Sequence, residues 1–195
     1  MFIVVSLLAG INTPPASVPP KASDHQALMR GDVVKRMEPV AGAPVPRMRA
    51  YALIDAPPAK VFALIDDCDN YRHIMPRTSY SKELSRKGST VVCQIKIKLP
   101  MFMGTLVSVT RGHHTVGPPK WGRAWSLVSG TFKRNAGRWV ISAYKGNPNL
   151  TLIEYCIHAV PDLALPDMLL RKANGRGIPG LLRGLRKRLT GKETR

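Results

Sequence analysis

Few side chains in this sequence stand at spacings that support catalysis. His113 and His114 are adjacent, between Gly112 and a Gly117-Pro-Pro turn, in what reads as a loop. Neighbouring residues of an extended backbone point to opposite sides, so the pair cannot readily chelate one metal ion. Glu154, Cys156 and His158 recur at every second position and would project to one face of a strand. A thiol beside an imidazole is the pattern of an activated nucleophile. Ile153, Tyr155, Ile157 and Ala159 take the opposite face and read as its buried side, so a polar outer face is the simpler reading. Asp66, Asp67 and Asp69 are crowded too closely to flank one substrate and read as solvated acids at a helix end. No Gly-rich phosphate loop, Rossmann fingerprint or GxSxG elbow is present. Cys68, Cys93 and Cys156 are odd in number and far apart, with no CxxC pair. That excludes a disulfide scaffold and a cysteine-rich zinc site, and leaves the redox compartment open. The expectation is no catalytic residue, no metal and no cofactor.

The elements that carry these residues change period along the chain. Gly31–Val34 and Arg47–Ile54 read as strands around the broken stretch AGAPVP. Asp55 can cap a helix whose first turn tolerates the prolines and whose apolar positions are Val61, Phe62, Leu64 and Ile65. A second short helix carries Tyr71, Ile74 and Met75. From Thr78 the period falls towards two, most clearly over Val92–Leu99, where Cys93, Ile95, Ile97 and Leu99 alternate with polar residues. Further strands are predicted at 104–110, 123–128, 131–133, 138–144 and 150–160, with turns at Gly112, at Asn135-Ala-Gly and at Gly146-Asn-Pro-Asn. The chain closes with a helix. Leu165, Met168, Leu169 and Ala173, then Ile178, Leu181, Leu182, Leu185 and Leu189, form its apolar stripe, with a kink or break expected at Gly175-Arg-Gly and Pro179. Its other face carries Arg171, Lys172, Arg176, Arg183, Arg186, Lys187 and Arg188. Strands run together between helices grouped at two places, so the fold class is α+β.

The 195 residues suit one domain, and 44% hydrophobic content excludes wholesale disorder. No apolar run reaches the ~20 residues of a membrane-spanning helix. Thirty Lys+Arg against 12 Asp+Glu give a net charge of +18, which predicts attraction to anionic surfaces. Aromatic content is only 6%, and no single-strand or recognition-helix pattern accompanies the charge, so nucleic acid is not an expected partner. Residues 1–11, MFIVVSLLAGI, have the length of a signal-peptide core but no preceding Lys or Arg. They read as a leader or as an ordinary apolar terminus, which leaves export and a cytoplasmic location equally open. The Pro/Ser-rich run after them reads as a linker. The expected organisation is therefore a leader and linker over 1–27, a domain over 28–190 and a short tail over 191–195, acting as a monomer.

Several phrases, taken in order, resemble the START-like helix-grip superfamily of polyketide cyclases, lipid-transfer START domains and coenzyme-Q-binding proteins, the last branch most of all. They are IDAPPAKVFALIDDCDNYRHIMP (54–76), Trp125 and Leu127 with Gly130 and Phe132, Gly137-Arg-Trp139, TLIEYCIHAVPD (151–162) and IPGLLRGLRKRL (178–189). The resemblance implies a curved antiparallel sheet wrapped around a long C-terminal helix, with two short helices after the first strand and a cavity between sheet and helix. Period two places Ile95, Ile97, Trp125, Leu127, Trp139, Tyr155 and Ile157 on the inner face, with Met168 and Leu169 opposite them on the helix. By periodicity alone these residues fit a filled core as well; the resemblance favours a cavity. It implies a non-catalytic binder or carrier of a hydrophobic small molecule: a lipid, sterol, quinone or polyketide. The alternative is an aromatase/cyclase-like enzyme, which a buried Arg, His or Tyr in the cavity would favour, Tyr155 being the residue to look at. A nucleic-acid-binding protein rests on the charge alone. A carrier must load or unload at a membrane, and the basic helix face would suit peripheral docking on anionic lipid.

Overall fold

Proline and glycine set where the elements begin. The computed structural model describes residues 13–100, 103–163 and 167–191, the last stretch without side chains up to residue 176. The apolar leader, the tail beyond 191 and the side chains of Met168, Leu169, Arg171, Lys172 and Arg176 lie outside the described residues. After the short helix α1 (His25–Met29), Gly31 turns the chain with a positive φ. The first strand, β1 (Val34–Glu38), therefore starts later than the Gly31–Val34 expected. β2 (Arg47–Ile54) has the expected bounds. Helix α2 (Pro58–Asp66) begins with Pro57 in the cap position, not Asp55. Ala56 and Pro57 each precede a proline, which holds them extended and delays the helix.

A single 3-10 turn (Cys68–Asn70) and α3 (Tyr71–Ile74) then lead into six strands: β3 (Thr78–Lys87), β4 (Thr90–Lys98), β5 (Thr105–Thr115), β6 (Trp121–Gly130), β7 (Phe132–Tyr144) and β8 (Asn147–Pro161). All pairings are antiparallel, in the order β1-β2-β8-β7-β6-β5-β4-β3, and the curved sheet does not close. Register shifts in the β3–β4, β5–β6 and β7–β8 pairings mark bulges. Bulges raise local twist and bend the strand that carries them. Two expected turns are strand interiors instead. Gly112 lies within β5 and Asn135-Ala-Gly within β7. Both glycines serve close packing: a Cβ on Gly112 would lie 2.6 Å from Arg123 Nε, and one on Gly137 would fall inside the Trp125 indole.

Helix α4 (Asp167–Thr190) continues through Gly175, Gly177 and Pro179, so of the kink or break expected there the break does not occur. A helix-interior proline costs roughly 3 kcal/mol. Burial of Ile178, Leu181, Leu182 and Leu185 against α2, α3 and β2 offsets it. The main core cluster joins these residues to Val61, Phe62, Ile65 and Tyr71 and to the inner face of β2, β6, β7 and β8.

The outer face of β2 and β8 is also buried, which corrects the reading of Glu154, Cys156 and His158 as a solvated polar face. The run read as a linker lies across it. Ser17 Oγ donates to Glu154 Oε2 at 2.6 Å and Val18 N to Oε1 at 3.0 Å, while Tyr51 Oη donates to Val18 O at 2.7 Å. Arg49, itself buried, pairs with Glu154 and with Glu38 and donates to Ala16 O. Leu28 fills a second cluster with Tyr51, Leu53 and Tyr144. Residues 13–29 thus belong to the folded unit; a composition of Pro and Ser reports extended backbone, not whether that backbone is docked. A disulfide joins Cys68 to Cys93, with Cα atoms 6.1 Å apart, and leaves Cys156 free and buried. Sequence spacing could not show this pair, because the sheet brings β4 beneath the turn after α2.

Candidate functional site

The inner face of the sheet is built in cross-strand rows. Arg123, Trp139 and Tyr155 are neighbours across β6, β7 and β8; Trp125, Gly137 and Ile157 form the next row. The Tyr155 ring centroid lies 4.2 Å from that of Trp139 and 5.8 Å from that of Trp125, the latter pair stacked. Gly137 makes this possible, since the Trp125 ring occupies the space a side chain there would take. Trp125 Nε1 donates to Asn135 Oδ1 at 3.1 Å, and Asn135 Nδ2 donates to Ser108 Oγ at 2.8 Å. A polar thread thus edges the aromatic wall.

Trp125, Trp139 and Tyr155 are buried in the main cluster, with Ile95 and Ile157 partly buried against it. Ile97 and Leu127 share the inner face by register but stand outside the cluster, half-buried. The apolar face therefore passes from full burial at Trp125, Trp139 and Tyr155 to partial burial at Ile157, over β4 and at the end of β6.

At the packed end lies a polar group that sequence reasoning missed. Arg123, 4% exposed, donates from Nη2 to Cys93 Sγ at 3.0 Å and from Nη1 to Tyr71 Oη at 3.4 Å. Its Nε has no partner among the described residues. Tyr71 Oη in turn donates to Ile65 O at 2.9 Å. His114 faces Arg123 across the β5–β6 pairing and contacts Asp66 Oδ1 through Nδ1 at 2.6 Å, leaving its Nε2 buried and unpartnered. Burial first, then the Arg123 charge, push His114 down to about 4 against the pull of Asp66, so the imidazole is neutral at pH 7. Burial raises the phenols of Tyr71 and Tyr155. His114 is in a strand, not the expected loop. The signal for Arg123 was present: Arg123, Trp125 and Leu127 alternate, so a cation shares the face of the aromatic wall.

The remaining candidates resolve into structural roles. Asp66 receives Arg86 and His114, Asp67 caps the turn after α2, and Asp69 takes Lys82 and the Glu83 amide. These acids are partnered, not simply solvated. Burial pushes the Cys156 thiol up to about 12, and His158 Nε2 donates to Val45 O at 2.9 Å, so the two do not form an activated pair. Arg183, Lys187 and Arg188 are exposed on α4. Arg186 is not on that face. It is 8% exposed and donates to Gly31 O at 2.9 Å and Leu53 O at 2.8 Å, because it lies one turn beyond Leu182 on the buried stripe. Among the described residues no group of three or more His, Cys, Asp or Glu side chains could hold a metal ion.

A curved antiparallel sheet gripping a C-terminal helix around an aromatic inner wall defines a class, and sequence comparison agrees with it. The chain belongs to the polyketide cyclase / dehydrase and lipid transport family, whose model matches residues 54–186. No curated protein matches it. Among solved structures it is similar to a STAR-related lipid transfer protein from Xanthomonas axonopodis, at 17% identity and TM-score 0.71, over 80% of this chain and 93% of that one. Human StAR-related lipid transfer protein 5 matches at 12% identity and TM-score 0.68, over 83% of each chain. The Zhui aromatase/cyclase from Streptomyces sp. R1128 matches at 14% identity and TM-score 0.55, over 76% of this chain and 98% of that one. Such low identities speak for a shared fold. None of them singles out the coenzyme-Q branch.

Proposed function

We propose that this domain binds or carries a hydrophobic small molecule between its curved sheet and α4. One observation carries the reading: the inner face holds Tyr155, Trp139 and Trp125 over β6 to β8 and, across Ser108 and Thr110 of β5, Ile95, Ile97 and Leu127 at its β4 and β6 end, and these last three are only half-buried. Apolar wall left incompletely packed is where a guest gains most from leaving water. Membership of a family that includes lipid transport supports it. Arg183, Lys187 and Arg188 give α4 an exposed basic edge for reversible docking on anionic lipid, each contributing roughly 1 kcal/mol near the surface. The Cys68–Cys93 disulfide favours the exported alternative, since such bonds persist in oxidising compartments. Titration of the purified protein with fatty acids, sterols and aromatic polyketides, followed by tryptophan emission, tests binding. A saturable change from one of these classes supports the proposal, and no response from any of them sinks it.

A second reading, an aromatase/cyclase-like enzyme, is favoured by one specific feature. Arg123, His114 and Tyr71 are buried together beside the aromatic wall, with Asp66 polarising the imidazole. A neutral imidazole with a bare Nε2 can take up a proton, as a weak base at its lowered pKa, and a nearby guanidinium can stabilise an enolate oxygen. Incubation with a reactive poly-β-ketone separates the readings. A carrier returns it unchanged; a cyclase returns a ring whose formation His114→Gln abolishes.

A further inference from the structure

We infer that Arg47, Arg134 and His158 form a site for a phosphate group on the outer face of the sheet, away from the interior. His158 is 1% exposed and sits opposite Ala136 in the β7–β8 pairing, and Arg134 lies two residues from Ala136 on the same face. Arg47 precedes Met48, the partner of Ile157, and so comes in line with His158 from the β2 side. Among the described residues Arg47 Nε, Arg134 Nε and His158 Nδ1 are all buried without a hydrogen-bond partner. Unsatisfied buried polar atoms are rare and costly, and two guanidinium donors beside one imidazole nitrogen call for a ligand that can both accept and donate.

The existing contacts do not supply it. Arg134 Nη2 donates to Thr13 O at 3.4 Å and Arg47 Nη1 to Glu38 Oε2 at 3.4 Å, both at the long limit of a hydrogen bond. Charge is unbalanced too. Arg36, Arg47, Arg49, Arg134 and Arg138 share this face of β1, β2 and β7 with three carboxylates, Asp24, Glu38 and Glu154, a difference of 5 − 3 = +2. Among the described residues neither Arg134 nor Arg138 has a carboxylate partner. Burial, and then Arg47, hold the Arg134 guanidinium below its usual range, so the pair repel each other across the patch.

The geometry selects phosphate among anions. Each guanidinium presents its Nε and one Nη as a fork matched to two oxygens of one anion. His158 donates from Nε2 to Val45 O, which fixes the neutral tautomer and leaves Nδ1 as a bare acceptor. A phosphate monoanion or monoester carries both features required: anionic oxygens for the two forks and a P–OH proton for Nδ1. A carboxylate has the oxygens but no proton to give.

The test uses the full chain and calorimetric titration with inorganic phosphate at matched ionic strength in sodium chloride. One phosphate per chain should bind, and Arg134→Gln and Arg47→Gln should each weaken it at least about ten-fold, the loss of a charge-assisted fork. Arg30→Gln removes an exposed arginine paired with Asp32 and should change nothing. Arg134→Lys keeps the charge but loses the fork; it should also weaken binding and covers the case in which Arg134→Gln does not fold. Vesicles of phosphatidylcholine with and without phosphatidic acid distinguish the sources. Binding confined to inorganic phosphate identifies a free phosphate or phosphorylated small molecule; binding to phosphatidic acid vesicles identifies a lipid headgroup. Loss of either by the Arg134 variants upholds the site. Phosphate binding that those variants leave intact overturns it, as does the absence of both phosphate binding and any vesicle binding that they weaken, since vesicle binding they leave intact belongs to the basic edge of α4.

Discussion

Arg183 and Arg186 lie within one turn of α4 and carry the same charge, yet the structure gives them opposite work. Arg183 is exposed, whereas Arg186 is buried and bonds the carbonyls of Gly31 and Leu53. Arg186→Gln removes a charged donor from two buried carbonyls, each such bond contributing roughly 1.5–3 kcal/mol. Two terms offset part of that. The variant no longer desolvates a guanidinium, whose burial already depresses its pKa, and the glutamine amide can reach one carbonyl. The expected net loss is about 2–4 kcal/mol. For a chain of this length each kcal/mol lowers the melting midpoint by about 2–4 °C, so the fall should be about 4–16 °C. Arg183→Gln should stay within about 0.5 kcal/mol of the parent. Urea denaturation followed by circular dichroism measures both, with an unchanged slope showing that stability alone has moved. Equal stability of the two variants would refute the placement of Arg186 and return it to the surface.

His114 should make stability depend on pH. Its pKa is about 4 in the folded chain against roughly 6.5 unfolded, so between those values the unfolded chain binds the proton and the folded chain does not. Stability is therefore full above pH 6.5 and is lost as pH falls towards 4, by up to about 3 kcal/mol; His114→Gln should flatten that part of the curve in denaturant melts at stepped pH. The N-terminal strap should be measurable through Ser17, whose hydroxyl meets a buried carboxylate. Ser17→Ala should cost about 1–2 kcal/mol and speed proteolysis within residues 13–20, and an unchanged cleavage rate would mean the strap is not docked.

Legibility in the sequence followed the kind of signal. Period-two alternation located β4 and β8 and placed Trp125, Trp139 and Tyr155 on one face, because that pattern depends only on backbone geometry; it could not show that the polar side of β8 is buried too. The stripe from Ile178 to Leu185 was legible for the same reason at helical period. Glycine misled at Gly112 and in Asn135-Ala-Gly, since the same residue marks a turn or the close approach of another group, and here Arg123 and Trp125 approach. Arg186 was read from charge alone, although its position four after Leu182 already put it on the buried stripe. The strap and the Cys68–Cys93 bond depend on contacts between segments far apart in sequence, where local pattern carries no information.

The most direct test of the central claim is mass spectrometry of what the protein holds. Chain purified without detergent should yield, on solvent extraction, one class of apolar molecule approaching one per chain. Leu127→Arg, which places a cation on the half-buried end of the inner wall, should keep its cooperative melt and lose that molecule. Extracts holding no apolar compound, with no uptake from added lipid or polyketide, would contradict the account; so would a folded Leu127→Arg variant that retains its cargo.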